Sequence, residues 1–191
     1  MNSDDLKASV AAYWRYDRQC PMVSTESGWQ LESYSGDFRA DVLVVNQDRL
    51  LIETEVKCTL GDLRQDKEKS CYYRKHAWFD SNHPQLITYQ FYFAVPYDLA
   101  NKAKEIVQAD YPYAGLIAVI AQGNCRVYKT ARTLCCKPLS FKKLYRLSMC
   151  QSSTLCRLAR DYADTQDRLK RVEKELAQAR KLLNLQEGVK V

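Results

Sequence analysis

Apolar and polar positions along the chain change period several times, and each change predicts an element. Leu6, Val10 and Tyr13 or Trp14 recur at helical spacing, so the stretch Leu6 to Arg15 reads as a short amphipathic helix. Cys20 to Ser35 is weakly patterned, with a strand expected around Trp29 to Tyr34. Ala40 to Val45 is β-rich, Asn46-Gln47-Asp48 is turn chemistry, and Arg49 to Lys57 is again strand-like, which together predict a hairpin. Thr59 then opens a helix, its hydroxyl placed to accept a backbone N–H three residues on, with Asp62 at the capping-box position. That helix is expected to run to Phe79, because Asp80 to Pro84 is a cluster of breakers. Tyr89 to Val95 is a strand stopped by Pro96, and Asp98 is the expected N-cap of a helix from Leu99 to Ala109. Gly115 to Ala121 is a continuous apolar strand that Gly123-Asn124 turns into Cys125 to Thr130. The order α, β, β, β, α, β, α, β, β predicts an α/β domain over residues 1–139, with a central mixed sheet flanked by helices.

The tail, residues 140–191, has a different period. Leu155, Leu158, Tyr162, Thr165, Leu169, Val172, Leu176, Ala179 and Leu183 alternate at spacings of three and four. This is a heptad seam over 155–183, ended by Gly188. With Leu155 at position a, Arg168 and Glu175 at g face Glu173 and Arg180 at e of a parallel partner, and both pairs attract. A self-associating coiled coil is therefore expected, with Leu155, Leu158, Tyr162, Leu169, Val172, Leu176 and Leu183 as its contacts. The alternative is a long helix folded back on its own domain.

Composition narrows the class. The 191 residues are 46% apolar and 27% charged, enough to bury a core, and only 6 Gly and 5 Pro exclude collagen-like or low-complexity structure. No apolar run reaches the roughly 18 residues of a membrane span, and the acidic start MNSDDLKASV is unlike a signal peptide. No membrane partner and a cytoplasmic location are expected. The 8 cysteines form no CxxC pair, and neither histidine sits at zinc-ligand spacing to them, so reduced thiols are expected.

The net charge of +6 is unevenly spread. Between Asp110 and Asp161 there is no acid, while Arg126, Lys129, Arg132, Lys137, Lys142, Lys143, Arg146, Arg157 and Arg160 are all positive. Such a block attracts a polyanion through counterion release, unless acids from elsewhere in the fold pair with it. The helix after Thr59 adds Lys67, Arg74 and Lys75, which either touch phosphates or pair with its own acids Asp62, Asp66, Glu68 and Asp80.

The chemistry concentrates on one strand. In Ile52-Glu53-Thr54-Glu55-Val56-Lys57 the two glutamates and the lysine share one face, and Asp41 begins the neighbouring strand of the hairpin. Carboxylates of this kind at one sheet edge suit Mg²⁺ and an attacking water, and a lysine orients or deprotonates that water and offsets charge on a phosphate. The plainer reading is a surface hairpin with a solvated Glu–Lys pair.

Arg39-Ala40-Asp41 and Ile52-Glu-Thr-Glu-Val-Lys57, followed by a helix reading Asp62-Leu63 to Asp66-Lys67 and by Phe91-Tyr-Phe-Ala-Val-Pro96, resemble the PD-(D/E)XK nuclease superfamily. The likeness is to its MmcB-like DNA-repair and phage-associated branch, over about residues 36–131. It implies a restriction-endonuclease-like core, with Asp41 and Glu55 as ligands of Mg²⁺ (or Mn²⁺), the Val56 carbonyl completing the site and Lys57 catalytic. Ala40 stands where the motif has proline. For the acid that many members supply upstream, Glu26 and Glu32 are candidates, and Glu53 on the central strand is another. The expected function is a metal-dependent nuclease acting on DNA, or else on RNA, and pairing its sites through the coiled coil. The alternatives are a catalytically inactive nucleic-acid-binding dimer and an assembly protein acting through its coiled coil.

Overall fold

The computed structural model describes residues 1–27, 39–68, 70–81, 83–120 and 124–187. The chain forms two compact units, Met1–Ser148 and Met149–Val191.

The first unit is an α/β domain built on a six-stranded mixed sheet. Its elements run α1 (Ser3–Ala12), β1 (Met22–Ser27), β2 (Ala40–Val45), β3 (Leu51–Val56), α2 (Leu60–Arg64), α3 (Ser70–Ser81), β4 (Thr88–Pro96), α4 (Ala100–Asp110), β5 (Gly115–Val119) and β6 (Cys125–Lys129). The strands lie in sequence order. β1, β2 and β3 pair antiparallel, β3, β4 and β5 pair parallel, and β6 returns antiparallel to β5. Both parallel links therefore need crossovers, which α2 with α3 and then α4 supply.

Each face of the sheet has its own apolar layer. On one, Leu6 and Val10 of α1 join Tyr13 and Trp14 against Val42, Val44, Ile52, Val56, Tyr92 and Ile117. Both candidate aromatic residues of the first helix are thus buried, because a π-helical turn at Tyr13–Asp17 carries the chain on after α1. On the other face Leu63, Phe79, Ala103, Ile106 and Val107 cover Phe91, Phe93 and Leu116. A third cluster joins Leu43, Val45 and Leu51 to Leu139 and Leu147.

The expected hairpin is β2–β3. Its turn is closed by Asn46, whose side chain accepts from Leu50 N–H at 2.9 Å and whose carbonyl accepts from Arg49 N–H at 3.0 Å. Thr59 caps α2 by accepting from Asp62 N–H at 3.1 Å. Three expectations need correction. The helix from Thr59 to Phe79 is not continuous: α2 ends at Arg64 and a 3₁₀ turn, Gln65–Glu68, precedes α3. Tyr111 pays the backbone cost of that break, donating to Leu63 O at 2.8 Å and accepting from Lys67 N–H at 3.3 Å. Asp98 does not cap the next helix, since Tyr97–Leu99 is itself a 3₁₀ turn leading into α4 without a side-chain cap. The weakly patterned stretch holds β1 at Met22–Ser27, whereas the strand expected at Trp29 to Tyr34 lies outside the described residues.

The second unit belongs to α5 (Phe141–Glu187), whose 47 residues make a helix of about 70 Å at 1.5 Å per residue. Its heptad positions Leu155, Leu158, Tyr162, Leu169, Val172 and Leu176 are 51 to 68% exposed. The side chain of Leu183 is outside the described part. Among the described residues no helix is long and apolar enough to cross a membrane.

Candidate active site

Strand β3 is interior, between β2 and β4, and not at the rim where a solvated Glu–Lys pair would lie. The shared face is as expected, but it is covered: Glu53, Glu55 and Lys57 are 0, 2 and 3% exposed. The reading of a solvated hairpin face is overturned by that burial, since ionised side chains this deep persist only with partners.

Those partners come from the broken helix. The 3₁₀ turn drops Asp66 inward, 2.5 Å from the Lys57 ammonium, which also lies 3.9 Å from Glu55. Lys75 of α3 reaches across to Glu53 at 2.9 Å and Glu55 at 3.3 Å, with its ammonium 4.7 Å from the Phe91 ring centre. Thr88 of β4 donates to Glu53. Behind Asp66, His76 Nε2 lies 2.8 Å from Asp66 Oδ2, and His76 Nδ1 meets the Tyr113 hydroxyl at 2.5 Å.

Asp41 stands on the β2 side. The register Val42↔Thr54 continued by one step sets Asp41 opposite Glu55, and Asp41 Oδ2 accepts from Val56 N–H at 2.8 Å. Lys7 of α1 lies 3.5 Å from Asp41 Oδ1 and 2.8 Å from Glu26. Of the three candidates for a further acid, the two that are described therefore fall apart in space. Glu26, at φ 51, shares the Lys7 ammonium with Asp41, whereas Glu53 is engaged by Lys75 and Thr88. Glu32 lies outside the described residues.

The electrostatics follow from burial. Desolvation pushes Glu55 up to about 8; the Asp41 charge adds to it, and Lys75 and Lys57 only partly oppose it. Burial also works against Asp66, yet the His76 hydrogen bond and the Lys57 charge hold it down at about 2. Burial would lower Lys57, but Glu55 and Asp66 outweigh it and the ammonium is stabilised. His76 is lowered chiefly by burial, so at neutral pH it is an uncharged ring. Its Nε2–H then donates to Asp66, and Nδ1 accepts from the Tyr113 hydroxyl, which burial keeps protonated.

The cations expected to touch phosphate divide into two groups. Lys75 is corrected: its ammonium is buried between Glu53 and Glu55 and offers nothing to a phosphate. Lys129 donates to the carbonyls of Pro112 and Ala114, Arg132 to Phe79 O at 2.9 Å and Lys137 to Pro84 O at 3.1 Å, so these three also brace the fold. Arg126 and Lys142 are exposed, Lys143 and Arg146 half-buried. Lys67 lies over the Tyr111 ring at 4.9 Å and 4.0 Å from Asp80, and the side chain of Arg74 is outside the described part.

The residues that the sequence did not disclose are Asp66, His76 and Tyr113. Along a continuous helix Asp66 has no reason to face Lys57; the 3₁₀ turn resets the helical phase and aims it there. Among the described residues there is no group of three or more His, Cys, Asp or Glu side chains already placed to hold a metal ion.

The sequence matches no protein-family model and no curated protein. A solved structure of similar fold is SPO1766, a protein of unknown function from Silicibacter pomeroyi. It superposes with a TM-score of 0.56 at 14% identity, covering 87% of this chain and 94% of that one. At this identity the likeness establishes the α/β fold and nothing about activity.

Proposed function

We propose that the protein is a metal-dependent nuclease of restriction-endonuclease-like fold that hydrolyses DNA phosphodiester bonds in the cytoplasm, paired through its C-terminal coiled coil. One observation carries the reading. Asp41 and Glu55 stand side by side on adjacent strands, with the Lys57 ammonium 3.9 Å from Glu55. In a protein with no use for them, such buried charges cost stability against an apolar core of the same shape.

The residues fit a hard divalent cation on the strength of their charge. The four acids Asp41, Glu53, Glu55 and Asp66 face the three ammonium groups of Lys7, Lys57 and Lys75, and the repulsion from Asp41 helps to raise the Glu55 carboxyl to about 8. Asp41 and Glu55, with the Val56 carbonyl, would hold Mg²⁺ or Mn²⁺; Glu26 shares the Lys7 ammonium with Asp41, whereas Glu53 is engaged by Lys75. Bound there, the cation would supply an activated water and offset phosphate charge. Lys57 supplies a fixed positive charge beside Glu55, suited to orienting a water or phosphate oxygen. Arg126, Lys142, Lys143 and Arg146 would hold the DNA backbone, through contacts that do not depend on base sequence. A parallel coiled coil along Leu155 to Leu176 would pair two copies, and so two sites.

A second reading has its own observation. Glu53, Glu55 and Asp66 are already engaged by Lys57 and Lys75, and no ready-made three-ligand group stands among the described residues, which favours a dimeric nucleic-acid binder without turnover. The deciding experiment is cleavage of plasmid, linear, single-stranded and forked DNA, and of single-stranded RNA, with Mg²⁺ or Mn²⁺. Glu55→Ala and Lys57→Ala run beside the wild type. Metal-dependent cleavage lost in both variants supports the nuclease. Salt-sensitive binding with no cleavage, unchanged by either substitution, supports the binder.

A further inference from the structure

We propose that Asp66, His76 and Tyr113 form a positioning chain that holds the Lys57 ammonium beside Glu55, a role that deepens the nuclease reading and rests on it. Each acts through the next, and the order can be read from the hydrogen-bond directions. Tyr113 donates to His76 Nδ1, His76 Nε2–H donates to Asp66 Oδ2, and the Lys57 ammonium forms an ion pair at 2.5 Å with the other carboxylate oxygen, Oδ1, of Asp66.

The chain has one consistent polarity. Tyr113 has a single proton, and giving it to Nδ1 fixes the tautomer that leaves the His76 proton on Nε2. Asp66, receiving from both sides, is an acceptor only. The Lys57 ammonium is thereby anchored by an ion pair to a carboxylate whose second oxygen is held by His76.

The setting prevents rearrangement. His76 sits among the rings of Phe79, Phe91, Phe93, Tyr111 and Tyr113, at centroid distances of 5.4 to 6.3 Å. Asp66 rides on the 3₁₀ turn that Tyr111 ties to the core through Leu63 O and Lys67 N–H. A lysine has four rotatable bonds and, without an anchor, would spread over several positions. Here the ammonium lies 2.5 Å from Asp66 and 3.9 Å from Glu55, and the closer acid draws it off Glu55. The Glu55 carboxylate is left with Lys75 as its nearer cation, at 3.3 Å. The chain thus separates two lysines of different roles: Lys75 neutralises the glutamates from below, while Lys57 is held at a set distance from Glu55.

Four substitutions test this in the full chain: Asp66→Asn, His76→Leu, His76→Gln and Tyr113→Phe. Two readouts are used, steady-state cleavage of DNA with Mn²⁺ and the ¹⁵N-edited NMR signal of the Lys57 ammonium, assigned by its loss in Lys57→Arg. In Asp66→Asn and His76→Leu, kcat is expected to fall by about tenfold or more with KM changed by less than about twofold, since substrate contacts are untouched. His76→Gln keeps a donor toward Asp66 and should recover most of the loss seen in His76→Leu. Tyr113→Phe, at the far end, should have the smallest effect. The Lys57 signal, sharp in the wild type, should broaden or vanish in Asp66→Asn and His76→Leu and persist in His76→Gln. Should Asp66→Asn fail to fold, His76→Leu against His76→Gln decides the matter alone. Wild-type cleavage together with unaltered kcat and an unaltered Lys57 signal in folded variants would overturn the proposal. If the wild type cleaves nothing, the nuclease reading fails separately. Loss of the Lys57 signal then still supports the positioning chain, and its persistence overturns it.

Discussion

The Lys57 ammonium lies 2.5 Å from the Asp66 carboxylate, although one residue directly follows an interior strand and the other sits on a 3₁₀ turn, with a helix between them. That contact makes the charged face of β3 part of the core and not of the surface. Five ionisable groups, Glu53, Glu55, Lys57, Asp66 and Lys75, are buried there together. Removing any one of them strands its neighbours, which gives the site distinctive responses to mutation and to pH.

Lys75 and Lys142 separate the two kinds of cation. Lys75→Ala leaves Glu53 and Glu55 without their nearest ammonium, at 2.9 and 3.3 Å. A loss of about 3 to 5 kcal/mol is expected, as for one partner of a buried pair. Lys142 is exposed, and Lys142→Ala should leave stability within about 0.5 kcal/mol. If Lys142 meets duplex DNA, that substitution instead lowers the slope of log K against log salt by about 0.9. Urea unfolding and a salt titration of binding measure both.

Much of this arrangement was legible in the sequence. Alternation over Ala40 to Val45 and Ile52 to Lys57, with turn residues between, suffices for the β2–β3 hairpin and for placing Glu53, Glu55 and Lys57 on one face. From β4 onward the order of strands and helices follows equally from local periodicity. What lies beyond periodicity is the break at Gln65–Glu68, because it depends on Tyr111, more than forty residues away, satisfying the backbone of the turn. Without the break, Lys75 and Asp66 look like members of a solvated helix with charges at i,i+4 spacing. The depth of the cluster was hidden for the same reason: burial of β3 is settled by the crossover that covers it.

Stability should vary with pH in two separate windows. Glu55 has its folded value raised from 4.5 to about 8. Its contribution is therefore full below 4.5 and is lost as pH rises through 8, because the unfolded chain releases the proton first. At about 1.4 kcal/mol per pH unit, the loss amounts to a few kcal/mol. Asp66 has the opposite sign. Its folded value is lowered from 3.8 to about 2, so its contribution is full above 3.8 and is lost as pH falls through 2, about 2 kcal/mol in all. Urea denaturation from pH 2 to 9 should show both flanks, with the alkaline one flattened in Glu55→Gln and the acid one in Asp66→Asn. Mg²⁺ held by ionised Glu55 would compete with the proton, so adding it should raise Tm at pH 8 and chelation with EDTA should reverse the gain.

Gly115 opens β5 where the backbone meets Tyr92. A Cβ there would come 2.8 Å from Ala131 N and clash with two carbons of the Tyr92 ring, itself buried against Trp14 at a centroid distance of 5.6 Å. Gly115→Ala should cost about 1 to 3 kcal/mol by overpacking, visible as a lower urea midpoint with an unchanged m-value. A midpoint equal to that of the wild type would mean that Tyr92 repacks freely.

The heptad seam makes the sharpest prediction about assembly. Leu169, Val172 and Leu176 are each more than half exposed along a single helix, which water does not favour. In a parallel pair they would meet their own copies, while Arg168 and Glu175 face Glu173 and Arg180 across the seam. Leu169→Asp places a charge at a central a position, where two copies would face each other, and should shift the protein to monomer at micromolar concentration. Arg168→Glu should weaken association by apposing it to Glu173, and adding Glu173→Arg should restore it, because the pair is then reversed and not removed. Sedimentation equilibrium measures both. Charge reversal at one position that is insensitive to the other would exclude the parallel register, and a wild-type monomer would exclude self-association through this seam altogether.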